Sequence, residues 1–354
     1  MELIATLDTQ GARAAETFVH QGRRYLVIAQ LASDMPGQPA SMMLGNSDVD
    51  TLVYLWSEEA QGFTLHQRLP AHGGEDAEHW RLGDRLMLAV AHLRRGHDPY
   101  DLRTDSVIYE MRGDRFEPLQ QLPTCAAKQF KHGQIEGRHF LALAQGVDLP
   151  GEPRAASLIY EWDGQRFVPF QEIDSAWGYN WLFFDVAGQH FLAYADHVAP
   201  SRILRWDGAR FAPFQELEGR TGRAFCHMRC QGQDWLAFAC LQDNSVMLRW
   251  DGSRFTPHQV LSGPGGREFE WLPQAEALVH VQFLRGTREA PELRMQSLIH
   301  RCDAQGRWRP DTEFATSGGT DACGFESRGQ TLLVVTNSLS PEIRFRTPSH
   351  IYRL

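Results

Sequence analysis

Residues 92–103 contain the greatest variety of ionisable and hydrogen-bonding side chains in any one stretch of the sequence. This stretch combines imidazoles, guanidinium groups, two carboxylates and a phenol, at His92, Arg94, Arg95, His97, Asp98, Tyr100, Asp101 and Arg103. A metal centre would need a further His or Cys at ligand spacing, and this stretch has none beyond His92, His97 and Asp98. The pattern therefore favours a solvated loop or a recognition loop over a metal site.

A second stretch, residues 31–50, contributes methionines at positions 35, 42 and 43. Exposed thioether side chains are flexible and adapt to irregular partner surfaces. Arginine and tyrosine are common anchors of binding energy. We therefore predict that the ligand-binding residues come from these two stretches and are Arg94, Arg95, His97, Tyr100, Met42 and Met43.

Motifs that specify known chemistry do not occur in the sequence. It has no glycine-rich phosphate loop, no nucleophile elbow and no His-Glu-x-x-His zinc motif, and its 15 histidines are scattered. Carboxylates occur in or beside the predicted innermost strands, at Glu16, Glu78, Asp185, Glu270 and Asp321. Because they do not share one repeat position, we predict no cofactor, and a cation held in the central channel stays an open alternative.

The elements that must position these loops are copies of one β-hairpin. In the clearest copy, residues 157–173, an alternating strand ends at Asp163-Gly164 and a second apolar run follows. Asp-Gly supplies the positive φ that a tight hairpin turn requires. The position of Trp162 recurs along the chain at residues 56, 111, 162, 206, 250, 302 and 354. Steps of 44 to 55 residues between all-strand units indicate a β-propeller.

A second pair of strands precedes each hairpin, as in residues 179–195, which turn at Gly188. Four strands per unit and seven units account for the chain. The predicted fold is therefore all-β, a seven-bladed β-propeller of four-stranded antiparallel blades, with one domain over residues 1–354. Residues 1–7 match the outer strand at 167–173, so the N-terminal strand is predicted to pair with the C-terminal hairpin and close the ring.

Residues that recur at one position of every unit are predicted to be structural. The tryptophans are assigned to the core between blades rather than to ligand stacking, at Trp56, Trp162, Trp206 and Trp250. The glutamines are assigned to hydrogen bonds with backbone groups, at Gln67, Gln120, Gln171, Gln215 and Gln259. The Asp-Gly pairs are hairpin tips on separate blades, so their carboxylates cannot converge on a metal.

The units differ most in the loop between the second and third strands. This loop is long at residues 31–50, 92–105, 145–156, 284–296 and 337–348, and short at 197–200 and 241–244. The long loops belong to consecutive blades and predict a raised crescent with a notch at blades four and five. Binding residues concentrate in loops on a rigid scaffold. The crescent near blades one and two is therefore the predicted binding surface.

Composition narrows the classes of partner. A net charge of -9 and a pI of about 5.9 argue against nucleic-acid binding, and no apolar run reaches the roughly 20 residues of a membrane span. The six cysteines lack paired metal-ligand spacing and are predicted to be reduced core thiols. The first residues lack the features of a signal peptide, which predicts a cytoplasmic location as written, or a secreted or periplasmic one if the sequence has been trimmed.

The repeating unit resembles the epilepsy-associated repeat, or EPTP repeat, of the leucine-rich glioma-inactivated proteins. The resemblance depends on Ser-x-Ile-Tyr-x-Trp, Phe-x-x-x-Gln and Gly-x-x-Phe-Leu segments, which are clearest in blades three to five. It implies a seven-bladed propeller that serves as a binding module. This sequence has no leucine-rich domain and no disulfide pattern, so the location and partner of those proteins do not transfer.

Three functions are compatible with the sequence. The first is a non-enzymatic module that binds a protein or peptide on the long loops, because the scaffold is regular, the loops vary and no catalytic motif occurs. The second is an enzyme of the lyase or hydrolase type that acts on a glycan or small metabolite at the channel mouth, with residues drawn from several blades. The third, a lectin-like site in every blade, is disfavoured because repeated sites need repeated loop residues.

Overall fold

A computed structural model describes residues 1–148, 155–219, 221–287 and 289–354, and every regular element in them is extended. In chain order the strands of these residues are β1 (Glu2–Leu7), β2 (Ala12–His20), β3 (Arg23–Gln30), β4 (Ser33–Asp34), β5 (Gly45–Asn46), β6 (Thr51–Ser57), β7 (Gly62–Leu69), β8 (Gly74–Leu82), β9 (Arg85–His92), β10 (Arg103–Arg112), β11 (Arg115–Cys125), β12 (Gln129–Ile135), β13 (Arg138–Ala144), β14 (Ser157–Trp162), β15 (Phe167–Ile173), β16 (Gly178–Val186), β17 (Gln189–Asp196), β18 (Arg202–Trp206), β19 (Phe211–Glu216), β20 (Gly222–Cys230), β21 (Gln233–Cys240), β22 (Ser245–Trp250), β23 (Phe255–Ser262), β24 (Gly266–Leu272), β25 (Ala277–Gln282), β26 (Arg285–Gly286), β27 (Pro291–Glu292), β28 (Arg294–Cys302), β29 (Trp308–Ser317), β30 (Gly319–Ser327), β31 (Gln330–Asn337) and β32 (Ser349–Arg353).

These strands form seven four-stranded antiparallel sheets, which confirms the predicted seven-bladed β-propeller. From the innermost strand outward the blades are β2-β3-β6-β7, β8-β9-β10-β11, β12-β13-β14-β15, β16-β17-β18-β19, β20-β21-β22-β23, β24-β25-β28-β29 and β30-β31-β32-β1, numbered here one to seven. The pairs β4-β5 and β26-β27 are small ribbons inside loops of blades one and six. In the described part of the chain, no helix is long and apolar enough to cross a membrane.

The N-terminal strand completes blade seven, as the sequence predicts. Strand β1 pairs antiparallel with β32, from Glu2 opposite Arg353 to Leu7 opposite Ser349. Beyond the strand, the Thr9 hydroxyl lies 2.8 Å from the carbonyl oxygen of Thr347 and 2.9 Å from the Ser349 hydroxyl. The last blade therefore depends on both ends of the chain, because β1 covers the edge that β32 would otherwise expose.

Contacts divide the chain into two compact units. The first comprises Met1–Ala127, Gly286–Met295 and Ala315–Leu354, and contains blades one, two and seven. The second comprises Lys128–Arg285 and Gln296–Phe314, and contains blades three, four and five with most of blade six. The prediction of a single domain over residues 1–354 stays a prediction.

The second strand of each blade supplies the buried centre of each unit. In β3 the side chains from Tyr25 to Gln30 are all buried, and β17 and β21 show the same pattern over their last six residues. Such a strand is apolar on both faces because a neighbouring blade packs against each face. A blade therefore cannot bury its own core alone, and its stability comes from its neighbours.

The recurrent tryptophans pack between blades within each unit. Trp206 of blade four is buried, and its ring lies 5.4 Å from the ring of Phe140 in blade three. Trp250 of blade five lies 5.7 Å from Phe191 of blade four in the same way. The core assignment is confirmed for these two residues, whereas Trp56 and Trp162 are only half-buried.

The recurrent glutamines join the outer strands of adjacent blades. The Gln215 amide oxygen accepts the N–H of Phe255 at 3.0 Å, and its amide nitrogen donates to the carbonyl oxygen of Phe255 at 2.7 Å. The same two-point clamp links Gln67 to Phe116, Gln171 to Phe211 and Gln259 to Trp308. The predicted role of these four glutamines, hydrogen bonding to backbone, is confirmed, and each clamp satisfies one backbone donor and one acceptor at a blade boundary.

Deleting Met1 to Leu7 should remove β1 and leave the β32 edge unpaired. We expect the melting temperature to fall by more than about 5 °C and the soluble yield to drop, because an exposed edge strand invites aggregation. Differential scanning calorimetry checks the result. Leu3→Ser is the control, since Leu3 is half exposed and its change leaves the strand in place. A truncated protein with the wild-type melting temperature would refute the closure.

Gln215→Leu should leave both backbone groups of Phe255 without their clamp. We expect a loss of about 1–3 kcal/mol in the free energy of unfolding, the usual cost of an unsatisfied buried group. Urea titration measures it. Gln165→Leu, at an exposed hairpin tip, should change stability by less than about 0.5 kcal/mol. Equal losses in the two variants would mean that the clamp contributes nothing specific.

Candidate functional site

Three loops of the first unit leave the same end of their sheets, between the second and third strands of each blade. They are residues 31–50 of blade one, 93–102 of blade two and 338–348 of blade seven. We call this group the three-loop platform. The ribbon β4-β5 stiffens the first loop by pairing Ser33 with Asn46 and Asp34 with Gly45. The first loop is therefore an ordered arm with a paired base.

Tyr100 joins the first two loops. Its hydroxyl oxygen lies 2.8 Å from the carbonyl oxygens of Met43 and Gly45, and it accepts the N–H of Gly45 at 2.9 Å. The Arg94 guanidinium carbon lies 3.7 Å from the centre of the Tyr100 ring. The Arg94 Nε donates to the Ser47 hydroxyl at 2.9 Å. Tyr100 and Arg94 thus fix the position of the 31–50 loop.

Arg94 is an internal anchor, since only 7% of its surface is exposed. Burial lowers the pKa of its guanidinium from the ordinary value. A buried guanidinium needs partners that replace water, and the Ser47 hydroxyl and the Tyr100 ring supply two of them. Of the predicted ligand-binding residues, Arg94 and the half-buried Tyr100 therefore hold the platform together.

The third loop is locked to the first through Asp34. The two carboxylate oxygens of Asp34 accept the backbone N–H groups of Phe345 and Arg346, at 3.1 and 3.0 Å. The Phe345 ring is fully buried, and a Cβ atom at Gly45 would lie 2.5 Å from it. Only glycine fits there, because a real Cβ never approaches so closely. The platform is therefore packed internally.

The outward side of the platform carries the other four predicted residues. Arg95 and His97 are exposed, Met43 is 45% exposed, and Met42 is half-buried. The structure thus brings all six predicted residues onto one platform, two as anchors and four at or near the surface. Beside them lies an open depression of about 700 Å³, lined by Asp34, Met35, Pro36, Gly37, Gln38, Pro39 and Arg344.

His92, weighed above as a metal ligand, faces inward. It is 1% exposed, its Nδ1 lies 2.7 Å from the carbonyl oxygen of Asp105, and burial lowers its pKa to about 4. It is therefore neutral at pH 7. Within the described residues, no three side chains of His, Cys, Asp or Glu are grouped so that they could hold a metal ion.

The carboxylates considered for a channel cation contact protein groups. Glu16 hydrogen-bonds His79, Asp321 accepts the N–H of Ala15 at 2.8 Å, and Asp185 lies 2.6 Å from His190 Nδ1. These contacts do not test a bound cation, which stays a prediction. None of the described cysteines forms a disulfide, and four of the six are buried.

The second unit holds a cluster that sequence reasoning missed. Lys128 precedes β12, and Tyr179, Arg223 and Arg267 are the second residues of β16, β20 and β24. The last three follow glycines, at Gly178, Gly222 and Gly266. At Tyr179, Arg223 and Arg267, the register of pairing between the innermost strand and the second strand of the blade shifts by one residue. A repeated Gly-x pair at the start of the innermost strands is the signal that could have identified them, and we call the four residues the cation–tyrosine cluster.

An open pocket of about 570 Å³ lies over the two short loops of blades four and five. It is lined by His197, Val198, Gly219, Thr221, Gln242 and Asp243. The loop at 197–199 is short because the buried Asp196 carboxylate accepts the N–H groups of Val198 and Ala199, at 2.9 and 2.8 Å. The His197 ring lies 5.8 Å from the Tyr179 ring, so the pocket adjoins the cluster.

Comparison with known proteins identifies the repeat. Residues 115–163, 166–207 and 210–251 match the family model of the EPTP domain. The chain is 30% identical over 155 residues to the thrombospondin-type laminin G domain and EAR repeat-containing protein of Homo sapiens, covering 43% of this chain and 22% of that protein. It is 30% identical over 146 residues to the leucine-rich repeat LGI family member 3 of Macaca fascicularis, covering 40% of this chain and 23% of that protein.

The matched region spans less than a quarter of the length of these relatives. Among solved structures, one from Bacteroides uniformis ATCC 8492, described as "a putative 6-phosphogluconolactonase", superposes with a TM-score of 0.63 over 90% of both chains. Its sequence identity is 9%, so this likeness shows the fold alone.

Tyr100→Phe should loosen the first loop of the platform without removing the ring beneath Arg94. The Gly45 N–H loses its acceptor, so its hydrogen exchange should become faster, and the free energy of unfolding should fall by about 1 kcal/mol. Exchange mass spectrometry checks this. The Leu31 N–H, bonded to the Gly11 carbonyl, is the internal control and should not change. Unchanged exchange at Gly45 would show that Tyr100 does not hold the loop.

Proposed function

Because the chain belongs to the EAR/EPTP repeat family, we propose that it is a non-enzymatic binding module whose partner is a protein or peptide held on the three-loop platform. The observation that carries the proposal is the internal locking of three loops from three blades. The polar groups of Tyr100, Arg94 and Asp34 form hydrogen bonds to neighbouring loops of the platform. Such loops bind with little loss of conformational entropy, because their conformation is already fixed.

The exposed side chains suit a protein surface. Arg95 and His97 provide hydrogen-bond donors, and Met43 provides a flexible apolar contact. Arginine is enriched among residues that dominate binding energy, and methionine adapts to partners of differing shape. The adjoining depression of about 700 Å³ gives room for a side chain of the partner.

The alternative function, an enzyme of the lyase or hydrolase type, has weaker support. It depends on the fold, which unrelated functions share. The names of the relatives refer to EAR repeats, laminin G domains and leucine-rich repeats, and state no reaction. The neighbour with an enzyme name is 9% identical and supports the fold alone.

The binding proposal predicts that Met43→Ser combined with Arg95→Ala strongly reduces partner capture. Immobilised wild-type protein and variants are exposed to the same native lysate, and captured proteins are quantified by mass spectrometry. We expect a partner recovered on wild type to fall roughly tenfold or more on the variant, a loss of about 1.4 kcal/mol. The melting temperature of the variant should equal that of the wild type, because both side chains are exposed.

The control for this experiment is the double variant Asp163→Ala and Asp207→Ala. Both carboxylates lie at hairpin tips, at the other end of their sheets from the second-to-third-strand loops, where they accept backbone N–H groups of their own turns. Capture should equal that of wild type. If the tip variant loses the partner while the platform variant keeps it, the proposed surface is wrong.

A further inference from the structure

A pair of cysteines occupies the boundary between blades five and six. Cys230 is the last residue of β20, the innermost strand of blade five, and Cys302 is the last residue of β28, the third strand of blade six. Both pack in the same apolar cluster of the second unit. The pKa of the Cys302 thiol is raised to about 12, first by burial and then by the Cys230 thiol, so the two thiols are close neighbours.

The other blade boundaries of the second unit carry apolar residues at the same two positions. Between blades three and four, Ile135 ends the innermost strand, Trp206 ends the third strand, and both belong to one cluster. Between blades four and five the corresponding residues are Val186 and Trp250. Among the described residues of the second unit, cysteine fills both positions at the boundary of blades five and six alone. Packing by itself does not require sulfur there, because apolar pairs fill the other two boundaries.

Neighbouring side chains hold both cysteine backbones in place. The Trp235 Nε1 donates to the carbonyl oxygen of Cys230 at 3.3 Å. The Gln231 amide nitrogen donates across the boundary to the carbonyl oxygen of Cys302 at 3.4 Å. The Trp235 ring also packs edge-on against Trp308 of blade six, with 6.0 Å between the ring centres. The backbones that carry the two thiols are therefore fixed relative to each other.

The two thiols differ in their access to solvent. Cys230 is 7% exposed, whereas Cys302 is half-buried, so a solute reaches the sulfur of Cys302 first. Burial raises the pKa of Cys230 as well, and both thiols are therefore protonated at pH 7. Because the thiolate is the reactive form, the pair is stable as thiols near neutral pH and reacts faster as the pH rises.

We propose that Cys230 and Cys302 are an oxidation site, at which a hydroperoxide converts the two thiols to a disulfide that links blade five to blade six. The Cys302 thiolate attacks one oxygen of hydrogen peroxide, the O–O bond breaks, and Cys302 becomes a sulfenic acid. The hydroxide that leaves takes up the proton that Cys302 released and becomes water. The Cys230 sulfur then attacks the sulfenic sulfur and displaces its hydroxide, which leaves as a second water with the Cys230 proton. The two thiols lose two electrons, and one hydrogen peroxide is reduced to two waters.

The disulfide changes how the two blades are held together. In the reduced protein, side-chain packing and the hydrogen bond from Gln231 to Cys302 join them at this place. The disulfide adds a covalent link and closes residues 230–302 into a loop, which restricts the unfolded chain and stabilises the fold. A thiol reductant removes the link again. This site lies in the second unit, and its test does not depend on the proposed binding function.

Peptide mapping of the oxidised full chain tests the proposal. The reduced protein is treated with hydrogen peroxide at about pH 8.5, where thiolates form more readily, and the remaining thiols are alkylated. Trypsin, used without reductant, cleaves after Arg229 and Arg301 and releases Cys230 and Cys302 on separate peptides. We expect mass spectrometry to find these two peptides joined by a disulfide. Fragmentation should place the bond on Cys230 rather than on Cys240, which lies in the same peptide.

Oxidation should also raise the melting temperature by about 5 °C, and dithiothreitol should reverse the rise. Cys302→Ser should lose both the linked peptides and the rise. The matched control is Cys125→Ser, which removes the other half-buried cysteine and should keep both.

The peptide map of the wild type decides whether the bond forms even if Cys302→Ser folds poorly. Oxidation of Cys302 to a sulfinic acid without linked peptides would overturn the proposal. Linkage of Cys302 mainly to a cysteine other than Cys230 would overturn it too, as would two thiols that remain unmodified after prolonged treatment.

Discussion

Burial of strands on both faces is the constraint on which the structure depends. The second strand of a blade is apolar above and below, so it is stable only between neighbours. Within the second unit, Phe140 of blade three packs against Trp206 and Phe211 of blade four. The glutamine clamps add a directional contact at the same boundary, as Gln171 does with Phe211. Apolar contact supplies the stabilisation, and the clamp fixes the register of one blade on the next.

A scaffold held in this way allows its loops to diverge. The first unit uses long loops that lock onto one another through Tyr100, Arg94 and Asp34. The second unit has short loops in blades four and five, which leave a pocket open beside Tyr179 and the cations around it. One repeat therefore supports two regions of different chemistry. The first unit has an ordered platform with exposed arginine, histidine and methionine side chains. The second unit has a buried group of cations around an aromatic ring.

Much of the fold could be predicted because each repeat is marked by turn residues and strand patterns that lie close together in the sequence. Asp163-Gly164 marks a hairpin turn, and the structure shows why: the Asp163 carboxylate accepts the N–H groups of Gln165 and Arg166, and these bonds lower its pKa. The pairing of β1 with β32 was predictable because its pattern completes an unfinished repeat. Arg94 shows the limit, since its charge suggested a surface contact and the structure buries it beneath the 31–50 loop.

The sequence by itself determined the number of blades, the strands of each blade and the residues that join blades, because turn chemistry and alternation act between close neighbours in the chain. It also identified the loops of the platform. Only the tertiary structure decided which side chains of those loops are anchors and which are exposed. It alone brought Lys128, Tyr179, Arg223 and Arg267 together, because successive members of this group are 44 to 51 positions apart in the sequence and meet only when four blades pack side by side.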